Sequence, residues 1–207
     1  MSAMKILMAC TTIGLLGVSG TANGSIVSVS GAVQQIAPPS VVMQGISNTS
    51  TSDTATAWDE QQGVFLPGVP VDMINHGGNS NAAIAGTLTG IYDSHYIHYR
   101  HTHLAMIIGS VTFSGKIVGA QFSAGTLNPT DAIVAPGGTT YVPAWPRGIL
   151  SPAEWFTTSG STIQFFLYGD PSYIDTAEIR VFTEHVPAPG AGALAVLAGM
   201  FAIRRRR

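Results

Sequence analysis

From Ser25 onward the sequence keeps returning to one pattern: a short run of β-branched and aromatic residues, then a turn cluster. The runs are Ser25–Ser30, Gly63–Leu66, Ala82–Tyr92, His95–Tyr99, Ser110–Phe113, Ile117–Phe122, Ile163–Tyr168 and Glu178–Thr183. Clusters such as Asn75–Asn79, Ser114-Gly115, Pro136–Gly138 and Gly169–Pro171 separate them. Side chains of a strand point to alternate faces, so short alternating runs between Gly, Pro and Asn signal half-buried strands joined by turns. The pattern predicts an all-β chain folded as a single β-sandwich domain, jelly-roll-like. Abundant Gly, with many Ser, Thr and Asn, opposes long helices for the same reason. Val111 and Phe113 are expected to share a buried face, as are Ile163, Phe165 and Leu167, and Ile179 and Val181. One short helix is expected near Trp155, where Ser151 suits a cap, Pro152 the first helical position and Glu154 a capping box. The polar stretch Ser47–Asp53 reads as a loop.

The two ends differ from this body. Lys5 supplies a positive charge to the first residues, Ile6 to Val18 is an uncharged and mostly apolar run, and Gly20 and Ala22 are small residues placed for cleavage after Ala22. That order predicts a secretory signal peptide over residues 1–22. The chain's single cysteine, Cys10, lies inside it. Removal would leave a protein without disulfides.

At the other end, Val186-Pro187-Ala188-Pro189 leads into an apolar run from Gly190 to Ile203, followed by Arg204, Arg205, Arg206 and Arg207. As a helix those residues would extend about 21 Å, against about 30 Å for a bilayer core, and snorkelling arginines would lengthen the span. Arginines prefer the cytoplasmic side, so the body upstream would be held outside.

Pro-x-Pro motif, apolar segment and terminal arginine cluster resemble the PEP-CTERM sorting signal of bacterial exported proteins, with Ala188 where that family commonly has Glu. The resemblance covers residues 186–207: motif 186–189, transmembrane segment 190–203 and basic stop-transfer tail 204–207. It implies recognition by an exosortase-type membrane peptidase, a membrane-anchored precursor, and a final place at the cell surface or in the extracellular matrix of a polysaccharide-producing bacterium. A looser resemblance covers the body. Trp58–Gly63, Asp93–Tyr99, Gly109–Phe113, Lys116–Gly119 and Ile179–Val181 look like a domain that recurs in exported proteins with this tail. It implies one β-rich domain over residues 58–185 and no particular activity. Residues 23–57 would add a strand and loop to it.

Between residues 23 and 187 lie all eleven acidic side chains against four basic ones, a net charge of −7. Such a body does not neutralise phosphate backbones, so nucleic acid is not an expected partner. No Gly-x-Ser-x-Gly elbow, phosphate-binding glycine loop or His-Glu-x-x-His helix occurs. In the segment from His95 to His103, alternation puts His95, His101 and His103 on one face of an extended strand and turns His98 away. His101 and His103 would lie about 6.6 Å apart, close enough to share a metal ion, with Asp72 or Asp93 as a distant third ligand. Arg100 beside them opposes a cation. The expectation is therefore no cofactor and no metal. Trp58, Trp145 and Trp155 read first as core residues. If exposed, they and Tyr92, Tyr96, Tyr99 and Tyr141 would offer flat apolar platforms for sugar rings. The chain thus reads as a non-catalytic surface or matrix protein. A polysaccharide-binding module is the alternative, and a His-dependent metal enzyme the more remote one.

Overall fold

The alternating runs become strands of two sheets that share one core. The computed structural model describes residues 25–42, 54–74, 77–100, 105–142, 147–149, 151–169 and 176–187. In chain order the strands are β1 (Ile26–Gly31), β2 (Val33–Gln35), β3 (Val41–Val42), β4 (Ala55–Val71), β5 (Gly86–Arg100), β6 (Ala105–Phe113) and β7 (Ile117–Gln121). Helix α1 (Ala124–Val134) follows, then β8 (Thr140–Tyr141), β9 (Trp155–Ser159), β10 (Thr162–Gly169) and β11 (Thr176–Glu184). The protein is all-β in character, with one α-helix among the described residues.

The first sheet has the order β1-β6-β10-β9 and is antiparallel throughout. The second has the order β2-β4-β5-β11-β7, antiparallel except where β2 runs beside β4. A small parallel pair joins β3 to β8. Ile107, Val111, Phe113, Ile163, Phe165 and Leu167 from the first sheet meet Ala57, Ile97, Tyr99, Ile179 and Val181 from the second. Burying each large apolar side chain stabilises the fold by about 1.5–3 kcal/mol. The expected core faces of β6, β10 and β11 are therefore the observed ones.

The long β4–β5 hairpin departs from the sequence expectation. Ala82–Tyr92 and His95–Tyr99 read as two runs because Asp93 and Ser94 interrupt the apolar pattern. From Gly86 on they form one strand, residues 82–85 lying outside it, because those polar groups find partners indoors: the Asp93 carboxylate accepts from Gly63 N at 2.7 Å, and Ser94 Oγ donates to Glu60. β4 tolerates Pro67 and Pro70 because β2 pairs with it only over Ala55–Ala57, leaving the rest of that edge without a neighbour that needs donors. Of its three register shifts along the hairpin, one falls at Glu60 and the other two at Gly63 and Gly68, whose positive φ angles of 62° and 96° suit glycine.

The expected helix near Trp155 is not there. Ser151 and Glu154 do make capping-box contacts, with Ser151 N donating to the Glu154 carboxylate at 3.2 Å. The chain then extends into β9, because Phe156 and Thr158 alternate into the interior and β9 pairs along β10. The observed helix, α1, contains Gly125 and Pro129 and has little intrinsic helical preference. It is held from outside. The Asp72 carboxylate accepts from Phe122 N and Ser123 N at 2.7 and 2.9 Å, and from the Ser123 and Thr126 hydroxyls, satisfying the helix start from the end of β4.

α1 and the β3–β8 pair cover the outer face of the second sheet. Leu127 packs with Trp58, Tyr96, Tyr141 and Val42, and Val134 with Leu66, Val69, Leu88 and Phe182. The outer face of the first sheet has no such layer among the described residues. No described helix is long and apolar enough to cross a membrane. The expected signal peptide, the transmembrane segment 190–203, the arginine tail and the loop Ser47–Asp53 lie outside the described residues.

Candidate functional site

Of the sites expected from the sequence, the expected sorting motif Val186–Pro189 lies partly within the described residues. β11 ends at Glu184, and Val186 and Pro187 follow it as exposed chain, Val186 at 38%. Ala22, Ala188, Pro189, Arg204 to Arg207, the metal candidates His101 and His103, and Trp145 lie outside the described residues. Among the described residues no group of three His, Cys, Asp or Glu side chains is placed to hold a metal ion. Asp72 is committed to the start of α1. Asp93 accepts from Gly63 N and pairs with His185 Nδ1 at 2.7 Å.

His95 and His98 fall on opposite faces of β5, as alternation requires. His95 points into the sandwich. Its Nδ1 lies 2.7 Å from Asp59 Oδ1, its Nε2 lies 3.1 Å from Thr183 Oγ1, and its ring packs 4.5 Å from that of Phe113. Carboxylate, imidazole and hydroxyl stand in the order used by acyl-transfer enzymes. His95 and Thr183 are nevertheless fully buried, so no substrate carbonyl can approach the hydroxyl. The three side chains seat one another in the core.

His98 faces α1, where the densest polar cluster of the protein lies. All five donors of the buried Arg180 are used. Nε and Nη2 hold the two oxygens of Glu60 at 2.8 and 2.9 Å, Nη2 also reaches Asp131 Oδ1 at 2.8 Å, and Nη1 donates to Thr130 Oγ1 and the Leu127 carbonyl. Arg147 binds Glu178 and Asp131 at 2.5 Å each, with Asn128 and the Tyr96 hydroxyl beside them. The Tyr141 hydroxyl donates to Glu60. Both guanidinium groups stack over tyrosine rings, Arg180 at 5.1 Å from Tyr96 and 5.3 Å from Tyr141.

Burial, and then the neighbouring Glu60 carboxylate, push the Tyr141 hydroxyl far above its usual range, so it stays a donor. Burial alone would raise the Glu178 carboxyl, but the attraction of His98, whose Nδ1 is 3.4 Å away, and of Arg147 outweighs it and holds Glu178 below its usual range. Burial likewise opposes the charge on Arg180, yet Glu60 reverses this and raises its pKa. A cluster this closed is a clamp. It ties α1 and the segment carrying Arg147 to β4, β5 and β11.

The outer face of the first sheet is the reverse case. None of its four strands contains a charged residue. Cross-strand pairing sorts its outward side chains into rows. Trp155, Phe166 and Ile108 form one, with Tyr168 and Met106 beyond it. Thr157, Gln164, Ser110 and Ser30 form the next on the other side, followed by Ser159, Thr162, Thr112 and Ser28. Half the face is apolar and aromatic, and half carries hydroxyls and one amide. Trp155 and Phe166 are nearly parallel, 13° apart with centroids at 6.2 Å. Met106 and Ile108 stand 67% and 70% exposed, Trp155 37%. Thr157, Ser159, Thr162 and Gln164 line a shallow depression of about 420 Å³.

No family model matches the chain, and no curated protein and no solved structure matches it.

Of the aromatic residues considered as sugar platforms, Trp58, Tyr96, Tyr99 and Tyr141 are buried, and Tyr92 is partly buried with its hydroxyl on the Thr89 carbonyl. Trp155 alone is exposed among the described tryptophans. Its companions Phe166, Tyr168, Ile108 and Met106 were missed as surface residues. The available signal was the doublet Phe165-Phe166 and the run Ala105–Ile108, where apolar residues fill both alternating positions of an antiparallel strand.

Proposed function

We propose that this chain is an exported bacterial cell-surface or extracellular-matrix protein with an architectural, non-catalytic role. In this reading a jelly-roll-like sandwich is flanked by a signal peptide cleaved after Ala22 and by a C-terminal sorting helix handled by an exosortase-type peptidase. The supporting observation is the position of Val186 and Pro187. They are exposed and follow β11 directly, so cleavage at residues 186–189 would leave every described strand and the whole polar clamp intact. Prolines there stop helix from running back into the body and leave extended chain for a peptidase to grip. The terminal arginines would halt the apolar run in the bilayer, since each costs about 2.5–3.5 kcal/mol at its centre on insertion scales. The closed clamp and the seated His95 fit a body whose ionisable groups serve architecture.

The test follows tagged protein in a host with an exosortase and in the same host lacking it. Loss of the released form without the peptidase is expected. Serines at Arg204 to Arg207 should weaken membrane retention, and replacing Pro187 and Pro189 should reduce release while insertion persists. Equal release and equal size in both hosts would refute the reading. A polysaccharide-binding role is the second reading, favoured by the open and uncharged face of the first sheet.

A further inference from the structure

We propose that the outer face of the first sheet is a binding site for a neutral polysaccharide, with β10 as its spine. Along that strand Tyr168, Phe166, Gln164 and Thr162 point outward in turn. Alternate residues of a strand are about 6.7 Å apart, so the four span about 20 Å, enough for several sugar units. Their order changes from ring to amide to hydroxyl, and the neighbouring strands continue each row.

The chemistry of the face selects the ligand. A pyranose has an apolar C–H face and a rim of hydroxyls. Trp155, 37% exposed, with Phe166 stacked beside it, brings apolar ring surface to the first, and Gln164 and Thr157, lining the depression, offer donors and acceptors to the second. The face carries no charge that could pair with an ionic partner, and the body around it has a net charge of −7, which repels anionic polymers. A nucleic acid has no cation to hold it here. A bilayer surface would find the apolar rows but would have to dehydrate the hydroxyl rows beside them. Exposed apolar side chains adjoining polar rows mark an interaction site rather than an ordinary solvated face.

The inference deepens the second reading above, giving it a site and a ligand class, and relies on the proposed surface role only for where such a polymer would be met. Binding is measured on purified full-length protein, so its result is separate from that of the sorting experiment. The probes are amylose, cellulose, a mannan and a galactan as neutral polymers, and polygalacturonate and alginate as acidic ones. Sedimentation with insoluble polymer and affinity electrophoresis with soluble polymer read the bound fraction. Retention on at least one neutral polymer and on neither acidic one is expected. Trp155→Ala should weaken that binding at least tenfold and Gln164→Ala severalfold, with unchanged melting temperature for the exposed Gln164 variant. Ile91→Ser, an exposed apolar change on β5 away from this face, should bind as the parent does. Failure to bind any neutral polymer would overturn the proposal, as would binding that Gln164→Ala and Trp155→Ala leave unchanged. Self-association or binding to phosphatidylcholine vesicles that Ile108→Ser abolishes would assign the face to a second copy or to lipid instead, and would equally overturn it.

Discussion

The two sheets meet at one core, yet they handle their outer faces in opposite ways. The second sheet carries Asp59, Glu60, Asp93, Glu178, Arg180 and two histidines, with further charges at its ends. Its outer charges are roofed by α1 and bound to one another. The first sheet carries none, and its outer face is open. Charge within the sheets is thus concentrated where it can be enclosed and matched, and is absent from the strands of the open face. Buried ions bring little net stability, because desolvation offsets much of their attraction, but they punish the loss of a partner severely. An uncharged open face has no such penalty, so its residues are free to be chosen for contact.

Three changes would break or sharpen this contrast. The largest effect is expected from Arg180→Met. It leaves Glu60 and Asp131 buried without their shared guanidinium and should lower the unfolding free energy by about 3–5 kcal/mol in denaturant titration. That is a large share of the roughly 5–15 kcal/mol that holds a domain together. Loss of less than about 1 kcal/mol would mean the clamp is not a clamp.

An intermediate effect is expected from acid. Glu178 is held below its usual range in the folded state. A carboxyl lowered by folding contributes stability above its unfolded value, near pH 4.3 for Glu, and that contribution disappears as pH falls through the folded value. Stability should therefore decline below about pH 5. Glu178→Gln should lower stability at pH 7 and flatten the decline, as followed by urea melts across pH. An unchanged slope would remove Glu178 from the account.

The smallest effect is expected from Ile108→Thr on the open face. The side chain is 70% exposed, so unfolding free energy should move by no more than about 0.5 kcal/mol. A larger loss would show that the face is covered in the intact protein.

Local patterns made much of the fold readable. The faces that β6, β10 and β11 turn to the shared core follow from alternation alone, because each needs only its own few residues, though β11 is buried on its other face as well. The clamp was invisible for the opposite reason. Glu60 and Arg180 are 120 positions apart, and nothing near either announces the other. α1 was hidden by its Gly and Pro and owes its existence to Asp72, which lies 51 residues before Ser123. The capping-box pattern at Ser151 formed its contacts but not a helix, because the next residues belong to β10's neighbour. For the open face, Trp155 was weighed as a sugar platform, but its companions come from two other strands and converge only through the sheet.

The place of β11 sets the order in which this chain can fold. Among the described residues it is the last strand made, yet it lies inside the second sheet, with β5 on one side and β7 on the other. No nascent chain that stops short of residue 184 can close that sheet or supply Arg180 to Glu60. Contacts between such distant residues also form slowly. During synthesis the second sheet therefore stays open until residue 184 has emerged, whereas every strand of the first sheet is available by residue 169.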